Sequence, residues 1–252
     1  MSFMEKKQPK SAIPIFKKIT KQDPKNIEAL YNHGLALNQL KKYQDAITCF
    51  DKVLEIDPDY IASINNRGIS LAELGNTDDA LECYNKAIKI DPKYAAAHYN
   101  KGVLYDKLLQ HEEAIQSLDE ALKCDSGNTN TAFYRGIVLG KMKKHEEALN
   151  CFENICRKHP KHMHAFFQKG MALAELGRHD KALAIFDKLL QIHEGNVNVI
   201  YAMARSNAAI ANIGRALYLL ELAVKKDRKT IKKWALEDEF FDSLQDLSLL
   251  HI

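Results

Sequence analysis

Cys156, His159, His162 and His164 fall within nine residues of one another, around Pro160, in the stretch CRKHPKHMHAFF. Thiolate and imidazole are zinc ligands, and cysteine beside histidine is also a nucleophile–base pairing. A zinc site, however, needs ligands that converge tetrahedrally on one point, and His-x2-His-x-His around a proline has no established spacing of that kind. Glu112–Glu113 and Glu146–Glu147 have the residue types for acid–base work. Both pairs open an apolar helical pattern, where acids favour the positive end of the helix dipole. No GxGxxG, GxxxxGK[ST], HExxH or GxSxG occurs, so the phosphate-cradle, zinc-protease and hydrolase signatures are missing. Five cysteines, an odd number without CxxC spacing, suit a reducing compartment and point to the cytoplasm.

The elements that position these residues follow from composition and period. The 252 residues are 46% apolar and 27% charged, which fits a folded protein rather than a disordered one. Only 11 glycines and 6 prolines argue against the many turns of an all-β fold. No apolar run is long enough to span a membrane, and no apolar stretch behind the N-terminus suggests a signal peptide. A net charge of +3 is too small for a nucleic-acid footprint.

Gly34, Gly68, Gly102, Gly136 and Gly170 recur every 34 residues, and so do Ala12, Ala46, Ala80, Ala114, Ala148, Ala182 and Ala216. Pro24, Pro58, Pro92 and Pro160 keep the same period. Four places after each alanine stands a large apolar residue: Phe16, Phe50, Tyr84, Leu118, Phe152, Phe186 and Leu220. Each unit predicts two helices. Ile61 to Leu74 has apolar residues at helical spacing, Gly75-Asn76-Thr77 interrupts it, and Asp78 to Ile90 resumes it until Asp91-Pro92. Small glycine and alanine side chains at facing places let two antiparallel helices approach closely.

This pattern resembles the tetratricopeptide repeat: Gly-x2-[Leu/Tyr], a turn, Ala-x3-[Phe/Tyr]-x2-Ala, then Asp-Pro. Gly102-Val103-Leu104-Tyr105, Ala114, Ala121 and Asp91-Pro92 carry it closely, and the resemblance extends from about Ser11 to Lys229. It implies an all-α fold, a right-handed superhelical solenoid of antiparallel helix pairs whose first helices line a concave groove. The expected division is a partial N-terminal repeat (1–26), repeats at 27–60, 61–94, 95–128, 129–162 and 163–196, a degenerate repeat at 197–230 and a capping helix at 231–252. At the N-terminus Ser11 is expected to cap a shortened helix with Pro14 in its first turn. At the other end Trp234, Phe240, Phe241, Leu244, Leu247 and Leu250 form an apolar stripe suited to cover the last repeat.

In this frame the histidines become punctuation. His159 and His162 flank an inter-repeat turn, His164 starts the next helix, and Cys156 takes the buried place of Leu54, Ile88 and Leu122. Cys49, Cys83 and Cys151 share one helix position, too far apart in stacked units to bridge. No metal, cofactor or catalytic residue is expected, and the array leaves no room for a catalytic domain.

The resemblance places function on the groove. Matching positions hold Tyr31, Asn65, Tyr99, Phe133, Phe167 and Tyr201; then Asn32, Asn66, Asn100, Tyr134, Gln168 and Ala202; then Leu35, Ile69, Val103, Ile137, Met171 and Arg205, the row being apolar from Leu35 to Met171. The aromatic series suits either stacking on a ligand or packing between neighbouring helices. Asparagine amides both donate to and accept from a peptide backbone, and in some family members such residues hold an extended peptide. Family members that clamp the acidic C-terminus of chaperones use Lys and Asn four apart, then Asn, then Lys and Arg four apart. Here only Asn66 matches, with Tyr31, Leu35, Ala96 and Asn100 at the other places, so no carboxylate clamp of this kind is expected. The expected function is that of a scaffold or adaptor binding a peptide segment or helix of a partner protein, without nucleic acid or membrane. The alternative is a structural subunit, such as a homo-oligomer, that packs through its convex face or ends.

Overall fold

The computed structural model describes residues 9–238, 240 and 241; the expected cap residues Leu244, Leu247 and Leu250 lie outside them. Among the described residues there are 14 helices and no strand. The fold class is all-α, built of antiparallel helix pairs. The chain divides into two compact units at residues 131 and 132, in the first turn of α8.

The first unit holds α1 (Pro9–Gln22), α2 (Ile27–Gln39), α3 (Tyr43–Ile56), α4 (Ile61–Glu73), α5 (Thr77–Ile90), α6 (Ala95–Lys107) and α7 (His111–Cys124). The second holds α8 (Thr129–Lys141), α9 (His145–Lys158), α10 (Met163–Glu175), α11 (His179–Ile192), α12 (Val197–Ala209), α13 (Ile213–Lys226) and α14 (Arg228–Glu237). Within each unit every helix packs on the next, and first helices also touch first helices: α4 lies beside α2 and α6, and α10 beside α12.

The glycine ladder has a specific partner. A Cβ at Gly34 would stand 2.5 Å from the Phe50 ring, and Cβ atoms at Gly68, Gly136 and Gly170 would meet Tyr84, Phe152 and Phe186 at 2.7, 2.7 and 2.5 Å. Each glycine thus faces the large residue sixteen places on, while the alanine ladder is separately buried, at 1% exposure or less from Ala12 to Ala216. Burying one such aromatic contributes about 2–3 kcal/mol, more than the roughly 1 kcal/mol that a helical glycine costs.

The turn inside each pair is a Schellman closure. Lys42 N–H donates to Leu37 O, Asn76 to Leu71 O, Gln110 to Tyr105 O, Lys144 to Leu139 O, Arg178 to Leu173 O and Asn212 to Asn207 O. This geometry needs one left-handed residue. Gly75 and Gly177 supply it without strain, whereas Lys41, Leu109, Lys143 and Ala211 adopt φ of 58–61°.

Two terminal expectations change. The first helix begins at Pro9, so Ser11 is not its cap and Pro14 sits inside it. Without an N–H, Pro14 forgoes one helical hydrogen bond to the turn before it. At the C-terminus α14 starts at Arg228, before residue 231, because Asp227 caps it by accepting from Thr230 N–H at 3.1 Å. Ile231, Ala235 and Phe241 are buried.

Candidate functional site

In the first unit the face of α2, α4 and α6 carries the expected row. Leu35, Ile69 and Val103 are half-buried, neither sealed in the core nor free. Tyr31 packs on Phe50 and Tyr60, with ring centroids 6.1 and 5.5 Å away. It accepts a hydrogen bond from Asn66 Nδ2 at 3.1 Å, and burial pushes its hydroxyl pKa up to about 12. Burial also raises the pKa of Tyr99.

The asparagines are partly committed within the fold. Asn32 Nδ2 donates to Glu28 O at 2.9 Å, and Asn66 Nδ2 to Ala62 O at 2.8 Å. Asn65 is buried, and its Oδ1 accepts from Asn100 Nδ2 at 2.9 Å. Asn66–Tyr31 and Asn100–Asn65 therefore join successive first helices. The face that remains is apolar in its row and amide-lined beside it.

The second unit has more relief. Phe133 meets the Phe152 ring edge-on at 5.6 Å, and Phe167 lies tilted on Phe186 at 5.9 Å, so both rings spend part of their surface on their own second helix. Tyr134 and Gln168 are half-buried. A cleft of about 570 Å³ is lined by Ile137, Gly140, Lys143, Gln168 and Met171, among others. A second cleft of about 810 Å³ shares Lys143, Met171 and Glu175 with it and adds Phe167, Tyr201, Trp234 and Phe240.

The wall of the larger cleft is a polar cluster. Arg205 pairs with Glu175 and, at 3.2 Å, with Asp238, and its guanidinium lies 4.6 Å from the Phe240 ring centroid. Tyr201 donates to Asp238 at 3.1 Å and stacks edge-on with Trp234 at 5.4 Å. Burial, with the Asp238 charge, raises the Tyr201 pKa well above its ordinary value. The sequence frame ends near residue 230, so it treats Trp234 and Phe240 only as a cap; in the structure they line the larger cleft. The usable signal is that Trp234 is the sole tryptophan.

A further ladder escaped the sequence reading. His33, Arg67, Lys101, Arg135 and Lys169 recur every 34 residues. Arg67 pairs with Asp51 at 2.7 Å, Lys101 donates to Asn85 at 2.8 Å, and Lys169 pairs with Glu153 at 3.0 Å, each partner sixteen places earlier on the preceding second helix. Arg67 and Arg135 also approach Cys83 and Cys151 at 3.2 Å, and Cys49 lies 3.6 Å from His33 Nδ1. Burial nevertheless raises the pKa of Cys49 and Cys83, which keeps them thiols.

The Cys–His cluster disperses. Cys156 is buried, His159 caps the end of α9, and His162 caps α10 by accepting from Ala165 N–H at 3.0 Å while stacking on Phe133. Among the described residues no three His, Cys, Asp or Glu side chains gather as a metal site, and no helix is long and apolar enough to cross a membrane.

Family models for the tetratricopeptide repeat match residues 27–60, 95–128, 49–82 and 135–197, and a TPR-repeat model matches 70–108. No curated protein matches the chain. Among solved structures, YrrB, a TPR protein with an unusual peptide-binding site, is 25% identical with a TM-score of 0.63, covering 75% of this chain and 98% of its own. A tetratricopeptide repeat protein from Parabacteroides merdae ATCC 43184 is 22% identical with a TM-score of 0.65, covering 92% of both chains. The MamA protein is 24% identical with a TM-score of 0.57, covering 66% of this chain and 90% of its own. Paired helices with a glycine beneath each aromatic, repeated at 34 residues, agree with these matches: the chain belongs to the tetratricopeptide repeat family.

Proposed function

We propose that this chain is a non-enzymatic adaptor that holds a peptide segment or helix of a partner protein on the face formed by its first helices. The observation that carries this reading is the row Leu35, Ile69, Val103, Ile137 and Met171, apolar yet half-buried at every step, amid neighbours that the core seals. Apolar surface kept at the solvent boundary in register gains its free energy when a partner covers it. The amides beside it supply donors and acceptors for a backbone. YrrB, whose described peptide-binding site belongs to a protein of the same repeat type, supports the general mode. The Lys–Asn–Lys–Arg pattern of a carboxylate clamp is absent from the matching positions, so the ligand is held by apolar contact and amide hydrogen bonds. The site of action we assign is the cytoplasm.

The test is affinity capture from native lysate with the intact chain, Val103→Asp, Met171→Asp, and a second-helix control, Glu82→Lys. The expected result is a protein retained by the intact chain and the control and lost from at least one face variant. Equal recovery by all four sinks the proposal.

A further inference from the structure

Gly136 and Gly140 stand one turn apart on α8. The first has a packing reason, because its Cβ would lie 2.7 Å from the Phe152 ring; around the second, a Cβ would meet nothing within 4 Å. A helical glycine costs about 1 kcal/mol against alanine, and at Gly140 no contact inside the protein offsets it. Gly140 opens instead onto the smaller cleft of the second unit, where Ile137 and Met171 form an apolar floor. That floor continues through Phe167, Tyr201 and Trp234 in the larger cleft.

The charges in the clefts are mostly answered. Arg205 is neutralised by Glu175 and Asp238. Lys143 is exposed at the rim of both clefts and has no ion-pair partner among the described residues. Glu237 also lines the larger cleft. An occupant of this surface matches it with an apolar body, a carboxylate beside Lys143 and no acid beside Glu237.

We infer that the joined clefts bind a partner segment in which a bulky apolar side chain seats over Gly140 and Met171 and an adjacent carboxylate pairs with Lys143. This deepens the adaptor reading and rests on it. Removing the side chain at residue 140 lets the segment lie directly against α8, and Trp234 lines the larger cleft that adjoins it.

Trp234, the only tryptophan, reports on the site without labelling. The full chain is titrated with acetyl-Ser-Glu-Phe-Leu-Ser-Ser-amide, its counterpart with lysine for glutamate, and a third peptide with serines for Phe and Leu. The expected result is a saturable change in Trp234 emission with the first peptide, at least tenfold weaker with the second, and none with the third. Gly140→Met should abolish the response, and Lys143→Glu should reverse the preference between the first two peptides. Gly140→Ala should weaken binding severalfold while leaving the protein more stable, which separates a filled site from a damaged fold.

Unchanged titrations in Gly140→Met and Lys143→Glu overturn the inference. So does self-association that rises with concentration and vanishes in Gly140→Met, since the occupant is then a second copy of the chain. If a captured protein is lost from Val103→Asp but bound normally by Gly140→Met, the adaptor reading stands and this site falls.

Discussion

Replacing Gly136 and Gly140 separately by alanine makes the same chemical change four residues apart on one helix, with opposite expected signs. Both gain up to about 1 kcal/mol of helix propensity, reduced to about 0.5 kcal/mol at Gly140 because it lies next to the end of α8. At Gly140 no other term enters, since the new methyl meets nothing within 4 Å. At Gly136 the methyl would lie 2.7 and 2.8 Å from the Phe152 ring and 3.2 Å from Cys151 Cβ. Phe152 is 2% exposed and braced by Phe133, so the ring cannot swing into solvent. Overpacking of this kind costs about 1–3 kcal/mol, leaving Gly136→Ala destabilised by about 1 kcal/mol and the two variants about 1.5–2 kcal/mol apart. Urea unfolding followed by far-UV circular dichroism measures the whole array, and Trp234 fluorescence reads the second unit alone, which matters because repeat arrays can unfold in parts. Equal stabilisation by both substitutions would refute the reasoning, because it would show that Phe152 yields and that the glycine ladder is not kept for packing.

Arg67→Met should destabilise the first unit by about 0.5–1 kcal/mol, and a double-mutant cycle with Asp51→Asn should return a coupling of about 0.5 kcal/mol that shrinks in high salt, as for a half-exposed pair. Burial holds the pKa of His33 below the ordinary 6.5, with Lys17 and Lys52 adding to the shift against the opposing charge of Asp45. The unfolded chain then takes up the proton first, so the His33 contribution is complete above pH 6.5 and is lost as pH falls through the folded value. His33→Leu should flatten that acid-side slope in urea midpoints measured between pH 7 and pH 5. Leu109 holds φ of 61° with its side chain 78% exposed, so Leu109→Gly should raise stability by about 0.5–1 kcal/mol by relieving the left-handed strain, again read from urea midpoints.

The repeat was legible because it is written in side-chain volume. Glycine at Gly34, alanine at Ala46 and an aromatic at Phe50 are demands of one helix–helix contact, and their recurrence every 34 residues fixes both the pairing and the turn between. The double duty of the polar residues was not legible. Asn65 looks like a groove amide in sequence yet is buried against Asn100, because neighbouring first helices approach closely enough for one amide to satisfy the other. The basic ladder has a period as clear as the glycines, but its partners lie sixteen residues earlier, on another repeat, where a search confined to one unit does not look. The start of the last helix was misplaced for a local reason: the Asp227 side chain opens it at Arg228, and that cap does not fall within the repeat pattern.

The central claim is that the first-helix face is the surface that holds a partner. Its most direct test is site-specific photo-crosslinking in native lysate, with benzoylphenylalanine placed at Val103 or Met171 on that face and at Glu82 or Asn150 on second helices. The account predicts a discrete higher-mass adduct from Val103 or Met171 and none from Glu82 or Asn150. Adducts from Glu82 or Asn150 alone would contradict it.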